Sequence, residues 1–300
     1  FGEDDGLLTA KLAEKHGLIG IPYKVAERAR NKLLFRQFCQ DNGLPFPKFG
    51  QANTKEELEE LMKTLKFPVV VKPAFGSSSA YVIKAENQEE LDEVYQFVRQ
   101  NLSSRVESAL KDGSGIVVEE YIEGNEVDID ILIQNGKIKF LSISDNLQTK
   151  EPFFLESGYA LPSSLPAEAQ KKLSSMAELV LEKLGVIHGC IHFEAKYTEK
   201  GPVPLEVNLR MGGDEVYPAN KKVWHIDLIE KAIEIACGIY VPIIEKSKPY
   251  TYAAAQSIIG EKAGVISKLY LPKKFDPEIQ VAEFHFEKEV GDAVFVPPNN

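Results

Sequence analysis

VVVKPAFGSSSA, residues 69–80, sets a lysine at the end of a run of buried-type valines and follows it with a glycine and three serines. A strand interior rarely carries an unpaired ammonium, so Lys72 calls for an anionic partner. Ala74, Phe75, Gly76, Ser77, Ser78 and Ser79 supply successive backbone N–H groups and three hydroxyls, and Gly76 allows a φ that other residues avoid. A concave row of N–H groups binds anions, and a lysine at its root adds a point charge suited to phosphate. No Gly-Lys-Ser/Thr follows and no helix starts there, so this is neither a Walker loop nor a dinucleotide fingerprint. The competing reading is a hairpin loop with an exposed lysine at a strand end.

A second constellation is HGCIHFEAKYTEKGPVPLEVNLR, residues 188–210. Strand side chains alternate, so His188, Cys190, His192 and Glu194 share one face, as do Glu206, Asn208 and Arg210 on the next strand. A turn centred near Lys200 sets Glu194 opposite Glu206. Two carboxylates directly across a ladder repel, and the pair is tolerable only with a cation between them or with one side in water. Carboxylate and amide oxygens are hard ligands suited to magnesium on phosphates, and Arg210 suits a phosphoryl group or carboxylate. The competing reading is a solvent-facing hairpin, although Ile191, Phe193, Leu205, Val207 and Leu209 argue for one buried face. Zinc at His188, Cys190 and His192 is disfavoured, because same-face strand neighbours do not converge on one ion and no fourth ligand is marked.

The third is VVEEYIEGNEVDID, residues 117–130, an apolar strand ending in acids, then Gly124 and Glu126. It can cross between lobes and offer backbone groups and one carboxylate to a heterocycle. Asp128 and Asp130 lie on one face of the following strand, read as its wet face.

The elements that must position these groups follow from periodicity. The opening, through about Ala29, reads as helix and loop, the tail of an upstream domain. A helix runs from Asn31 to near Gly43. NTKEELEELMKTL carries Thr54 and Glu57 in capping-box spacing, with Leu58, Leu61, Met62 and Leu65 on one face. Residues 48–122 read helix, strand, strand, helix, strand. EVDIDILIQNGKIKFLSI is a hairpin turning at Asn135-Gly136. Residues 145–166 show no clear element and are long for a connection; Lys150 and Glu156 are candidates for substrate contact, with a surface glutamate the alternative for Glu156. A helix follows and stops at Gly185. The expected division is 1–47 as upstream tail and leading helix, 48–122 as a small lobe, 123–249 as a large lobe with the metal site, and 250–300 as a C-terminal extension.

Composition sets the outer bounds. The chain has 300 residues, 44% apolar and 27% charged, with a net charge of -10. That is an ordinary globular composition with room for two or three lobes. The acidic balance disfavours nucleic acid and anionic membrane surfaces, and no apolar run reaches the length of a membrane span. Cys39, Cys190 and Cys237 form no zinc or redox spacing, which points to a reduced, cytoplasmic compartment. Oligomeric state is not readable.

Taken in order, Asn31-Lys32, VVVKPAFGSSSA, VVEEYIEGNE, HFEAKY and LEVNLRMGG resemble the ATP-grasp superfamily over roughly Glu3 to Val241. The serine-rich loop, EPFFLESGYALPSSLP and EVNLRMGGDEV look closest to its carboxylate–amine ligase branch, the L-amino-acid ligases and carnosine-synthase-like enzymes. The resemblance implies an α+β fold in which two lobes with antiparallel sheets clasp ATP, the small lobe acting as a lid, with the family's N-terminal domain lying before Phe1. It implies Lys32 and Lys72 on the α- and β-phosphates, and Ser77, Ser78 and Ser79 over the terminal phosphates. Glu119 would take the adenine amine, the backbone of Glu120 and Ile122 the ring edge with Tyr121 between them, and Glu126 the ribose. Glu194, Glu206 and Asn208 would bind one or two magnesium ions, or manganese. Arg210 would steady the transferred phosphoryl group, with Glu156, Gly212 and Gly213 on the substrate side. The implied reaction joins a carboxylate to an amine through an acyl phosphate, releasing ADP and phosphate. An ATP-dependent carboxylase or purine-pathway ligase, and a nucleotide-binding module without turnover, are the alternatives.

Overall fold

The computed structural model describes residues 5–103, 108–213, 215–245, 248–270 and 288–296. They divide into two compact units, one ending at Ser257 and one starting at Ile258.

The first unit begins with three helices, α1 (Gly6–His16), α2 (Tyr23–Arg30) and α3 (Lys32–Asp41). Asn31 caps α3 by accepting from the N–H groups of Leu33 and Leu34. A small sheet follows, built from β1 (Phe49–Gln51), β2 (Val69–Pro73), β3 (Ile83–Ala85) and β4 (Ile116–Glu120), with α4 (Lys55–Met62) and α5 (Gln88–Asn101) between them. Its order is β1-β4-β2-β3, antiparallel throughout. β1 is an edge strand that periodicity alone does not reveal, since it is only three residues long. The capping box forms at α4: the Glu57 N–H donates to Thr54 Oγ1, and the Thr54 N–H donates back to Glu57 Oε2. Alternation then divides the sheet. Val69, Val71, Ile116 and Val118 pack with Leu58, Leu91 and Val98 into one core, leaving Val70, Lys72, Val117 and Glu119 on the opposite face.

The large sheet contains β5 (Asn125–Gln134), β6 (Lys137–Asn146), β7 (Gly158–Leu161), β8 (His188–Thr198), β9 (Gly201–Asn208) and β10 (Ala253–Gln256). Its order is β10-β7-β6-β5-β8-β9, again antiparallel. Asn135 and Gly136 make the β5–β6 turn with φ of 54° and 69°, the left-handed pair that such a turn needs. Val127, Ile129, Ile131, Ile191, Phe193 and Val207 form the buried face, covered by α6 (Ala167–Leu184) through Leu173, Ala177 and Leu181. Val25, Ala29, Phe35 and Phe38 join the same core, so α2 and α3 are part of this lobe's packing and cross the division expected at residue 47. Each large apolar side chain buried here contributes about 1.5–3 kcal/mol. On the other face, α7 (Val216–Trp224) and α8 (Leu228–Ala236) bury Leu132, Phe140 and Cys190.

Residues 145–166 are not without structure: β7 lies among them and pairs with both β6 and β10. Four residues give too short a pattern to stand out. β10, assigned above to the C-terminal extension, is an edge strand of this sheet. The second unit holds a two-stranded antiparallel pair, β11 (Gly264–Val265) and β12 (Ala293–Val294). Residues 271–287 and 297–300 of the expected extension, and residues 1–4, lie outside the described residues. Among the described residues no helix is long and apolar enough to cross a membrane. The three cysteines are unpaired.

Candidate active site

The polar face of the large sheet is a grid fixed by register. Asp128 pairs with Glu194, and Glu194 with Glu206; one step along, Asp130 pairs with His192, and His192 with Asn208. The expected opposition of Glu194 and Glu206 therefore holds, but by a different route. The β8–β9 turn is tight, with Thr198 opposite Gly201 and Ala195 opposite Pro204. Continued unbroken, that register would set Leu205 opposite Glu194. A shift between Ala195 and Glu194 leaves Leu205 as an extra residue and brings Glu206 into place. Because the side-chain period is two, a one-residue shift exchanges faces. The bulge thus carries Glu206 and Asn208 to the face of Glu194 while Val207 enters the core.

Asn208 Nδ2 donates to Glu194 Oε1 at 2.9 Å. Burial and the adjacent Glu206 hold the Glu194 carboxyl well above the usual range, against the pull of His192. Asp128 and Asp130 do not face water, as the alternation pattern predicted, but are buried. They bracket His192, whose Nδ1 lies 3.0 Å from Asp130 Oδ1 and whose Nε2 lies 3.9 Å from Asp128 Oδ1. Asn146 donates to Asp128, and Asn220 of α7 donates to Asp130. The cover supplied by α7 is a tertiary fact that strand alternation cannot report. Burial opposes the imidazolium, but the two aspartates raise the His192 pKa to about 10. Asp128 itself is raised by burial, with Glu156 and Asp130 adding to the rise.

The small sheet and α3 bring the cations. Lys72 Nζ pairs with Glu119 Oε1. Arg36, 1% exposed, donates through Nε to Glu119 Oε2 at 2.7 Å and through Nη2 to Oε1 at 3.2 Å. Burial alone would raise the Glu119 carboxyl, yet the two cations hold it at about 2. Burial lowers Lys72, and Glu119 offsets only part of that, leaving it at about 8. Lys32 spans the two sheets: its N–H donates to the Ala74 carbonyl at 2.8 Å, Nζ to the Gly76 carbonyl at 2.8 Å, and the same Nζ sits 3.0 Å from Glu206 Oε2. The glycine in this loop is not the residue with an unusual φ. Ser78, Ser79 and Tyr81 adopt φ of 49°, 55° and 60°, whereas a Cβ on Gly76 would meet Pro73 Cγ at 3.0 Å. Close approach, not a left-handed φ, is what a side chain at Gly76 would disturb.

Sequence reasoning did not single out Arg36. The available signal was Lys32 and Arg36 at i and i+4 on one helix face, a like-charge pair that is unfavourable without anions nearby. Those anions are Glu206 and Glu119, far away in sequence.

Between the sheets runs the 120–126 segment. The Glu120 N–H donates to the Lys48 carbonyl and the Tyr121 N–H to the Pro68 carbonyl. Glu126 lies 3.5 Å from Lys196 Nζ. Residues 145–166 reach the small sheet: Phe153 bridges to Ile83, the Lys84 N–H donates to the Pro152 carbonyl, Lys84 Nζ pairs with Glu151, and Phe154 stacks on Tyr121. Glu156 lies near enough to the acidic row for its charge to raise Asp128 and Glu194, whereas Lys150 is exposed. Arg210 Nη1 donates to the Met211 carbonyl. A Cβ on Gly212 would meet His192 Nδ1 at 2.7 Å, while Gly213 borders open space.

Among the described residues no group of three or more His, Cys, Asp or Glu side chains is arranged to hold a metal ion by itself. The donor set instead fits a hard cation shared with phosphate. Two repelling carboxylates and an amide lie on one face, beside Lys32 and a loop of backbone donors. Such a set leaves coordination positions for the ligand that brings the ion.

The family described as "ATP-grasp domain" matches residues 65–218. Carnosine synthase 1 of Gallus gallus is 29% identical over 259 residues, 83% of this chain and 28% of that protein. Alanine--anticapsin ligase of Bacillus subtilis (strain 168) is 26% identical over 242 residues, 76% of this chain and 51% of that protein. Among solved structures, an L-amino acid ligase from Bacillus licheniformis superposes with a TM-score of 0.78 at 28% identity, covering 89% of this chain and 64% of that one. The chain thus spans about half or less of the length of these curated relatives.

Proposed function

The chain belongs to the ATP-grasp family, whose description matches more than half of its 300 residues, and from that premise we propose that it is the ATP-binding core of an ADP-forming carboxylate–amine ligase. The observation that carries this reading is Lys32, which joins the serine-loop carbonyl of Gly76 to the metal-side carboxylate of Glu206 across the two sheets. The similarity to carnosine synthase, alanine--anticapsin ligase and L-amino acid ligase supports an amino acid as one substrate.

In this reading residues 48–122 are the lid and 123–249 the base. Lys32 and Lys72 hold the α- and β-phosphates, and Ser77, Ser78 and Ser79 close over the terminal ones. Glu120 and Ile122 read the ring edge beside Tyr121, with Glu120 acting through its carbonyl because its N–H is given to Lys48. Glu119 has used three of about four acceptor sites, so one remains for the adenine amine. Glu126 takes the ribose. Glu194, Glu206 and Asn208 would hold one or two magnesium ions, or manganese, and the bound ions would neutralise phosphate charge. A substrate carboxylate oxygen attacks the γ-phosphorus and the bond to ADP breaks, giving an acyl phosphate. The amine attacks the acyl carbon, phosphate leaves, and the amine's proton is lost to solvent or base. Arg210 steadies the phosphoryl group in both steps. Glu156, Gly212 and Gly213 border the acceptor, with Glu156 suited to an ammonium. Unpaired cysteines accord with a reducing, cytoplasmic setting.

Incubation with ATP, magnesium and an amino-acid library, read as ADP release and as condensed product by mass spectrometry, tests this. ADP release that requires amino acids is expected. Release that requires bicarbonate instead, or ATP binding without release, refutes it.

A further inference from the structure

We propose that Arg36 is a positioning residue that pins the β9 bulge and so sets the metal-binding register. The inference rests on the metal-site reading above. A bulge interrupts the ladder and leaves backbone groups without their regular partners. Here the two carbonyls at the register shift, Pro204 and Leu205, both accept from Arg36 Nη1 at 3.0 Å. The other two nitrogens of the same guanidinium grip Glu119. One rigid, planar group therefore fixes the bulge of the large sheet to Glu119, near the end of the small sheet's β4. Lysine could not replace it, since an ammonium cannot hold two carbonyls and a bidentate carboxylate in that fixed geometry. Without the bulge the β9 parity would turn Glu206 and Asn208 toward the core and Leu205 and Val207 toward Glu194. Arg36 lies behind these groups and is not placed on the nucleotide.

The test is the magnesium dependence of ADP binding, followed calorimetrically on the whole chain, with thermal melting recorded beside it. Arg36→Lys is expected to raise the magnesium midpoint by about tenfold or more, the range seen when the supports of metal ligands are removed. Arg36→Gln, which leaves Glu119 paired with Lys72 and every group placed on the nucleotide unchanged, is expected to do the same and decides the matter if Arg36→Lys does not fold. Phe38→Leu weakens the core packing of the same helix and is expected to lower the melting temperature while keeping the wild-type midpoint. A wild-type midpoint in either Arg36 variant overturns the inference alone, as does an equal shift in Phe38→Leu. Wild-type protein that binds ADP without regard to magnesium overturns the metal-site reading, and this inference with it.

Discussion

Replacing Glu119 by Gln removes the one anion between two buried cations, and its cost follows from the carboxyl's displacement. The Glu119 pKa falls from an ordinary 4.5 to about 2 because Arg36 and Lys72 outweigh burial. At about 1.4 kcal/mol per pH unit, that is about 3 kcal/mol of stability at neutral pH. Breaking a buried pair independently costs about 3–5 kcal/mol. The folded pKa lies below the unfolded one, so this stability is complete above about pH 4.5 and is lost as the pH falls toward 2. By pH 3 about half of it remains. Urea unfolding of wild type and Glu119→Gln at pH 7 and pH 3 reads the difference directly, because other carboxyls titrate alike in both proteins. The expected gap is about 3 kcal/mol at pH 7, shrinking to about half at pH 3. A gap below about 1 kcal/mol at pH 7, or one that does not change with pH, would refute the assignment of Glu119 as the charge partner of Arg36 and Lys72.

Glu206→Gln removes the carboxylate shared by Lys32 and the Glu194 side of the grid; ADP release is expected to fall by about a hundredfold or more, with wild-type turnover the contrary result. His192, held between Asp128 and Asp130, is expected to remain an imidazolium at pH 8 by its ring chemical shifts. The folded pKa is raised, so its contribution is complete below about pH 6.5 and is lost as the pH climbs through about 10. Gly124→Ala combines a φ of 154° with a Cβ placed 2.6 Å from the Tyr197 carbonyl oxygen; a loss of about 2 kcal/mol or more in urea unfolding is expected, since neither the backbone nor the carbonyl can easily give.

Much of the local framework follows from nearest neighbours along the chain. The Thr54–Glu57 box, the Asn135-Gly136 turn and the stop at Gly185 are all decided within four residues. Alternation likewise assigns Ile191 and Phe193 to one face of β8 and His192 and Glu194 to the other. The order of the lysine, serine-loop and acidic segments was enough to expect the fold and the class of chemistry.

What alternation could not decide is what each face meets. Asp128 and Asp130 read as wetted because nothing in their strand shows that Asn146 will meet the first and Asn220, ninety residues on, the second. β7 was invisible because its strand character comes from pairing with β6 and β10, not from its own four residues. Arg36 looked like an ordinary helix cation until folding brought Glu119 and the Pro204 and Leu205 carbonyls to it, 83, 168 and 169 positions away. The residue types, the caps and the alternation along β5 and β8 were determined by the sequence itself, because sterics and hydrogen bonding act over one turn or one pleat. The bulge register, the buried charge pairs and the meeting of Lys32 with Glu206 were decided only by tertiary structure, because long-range packing sets which distant groups lose water together.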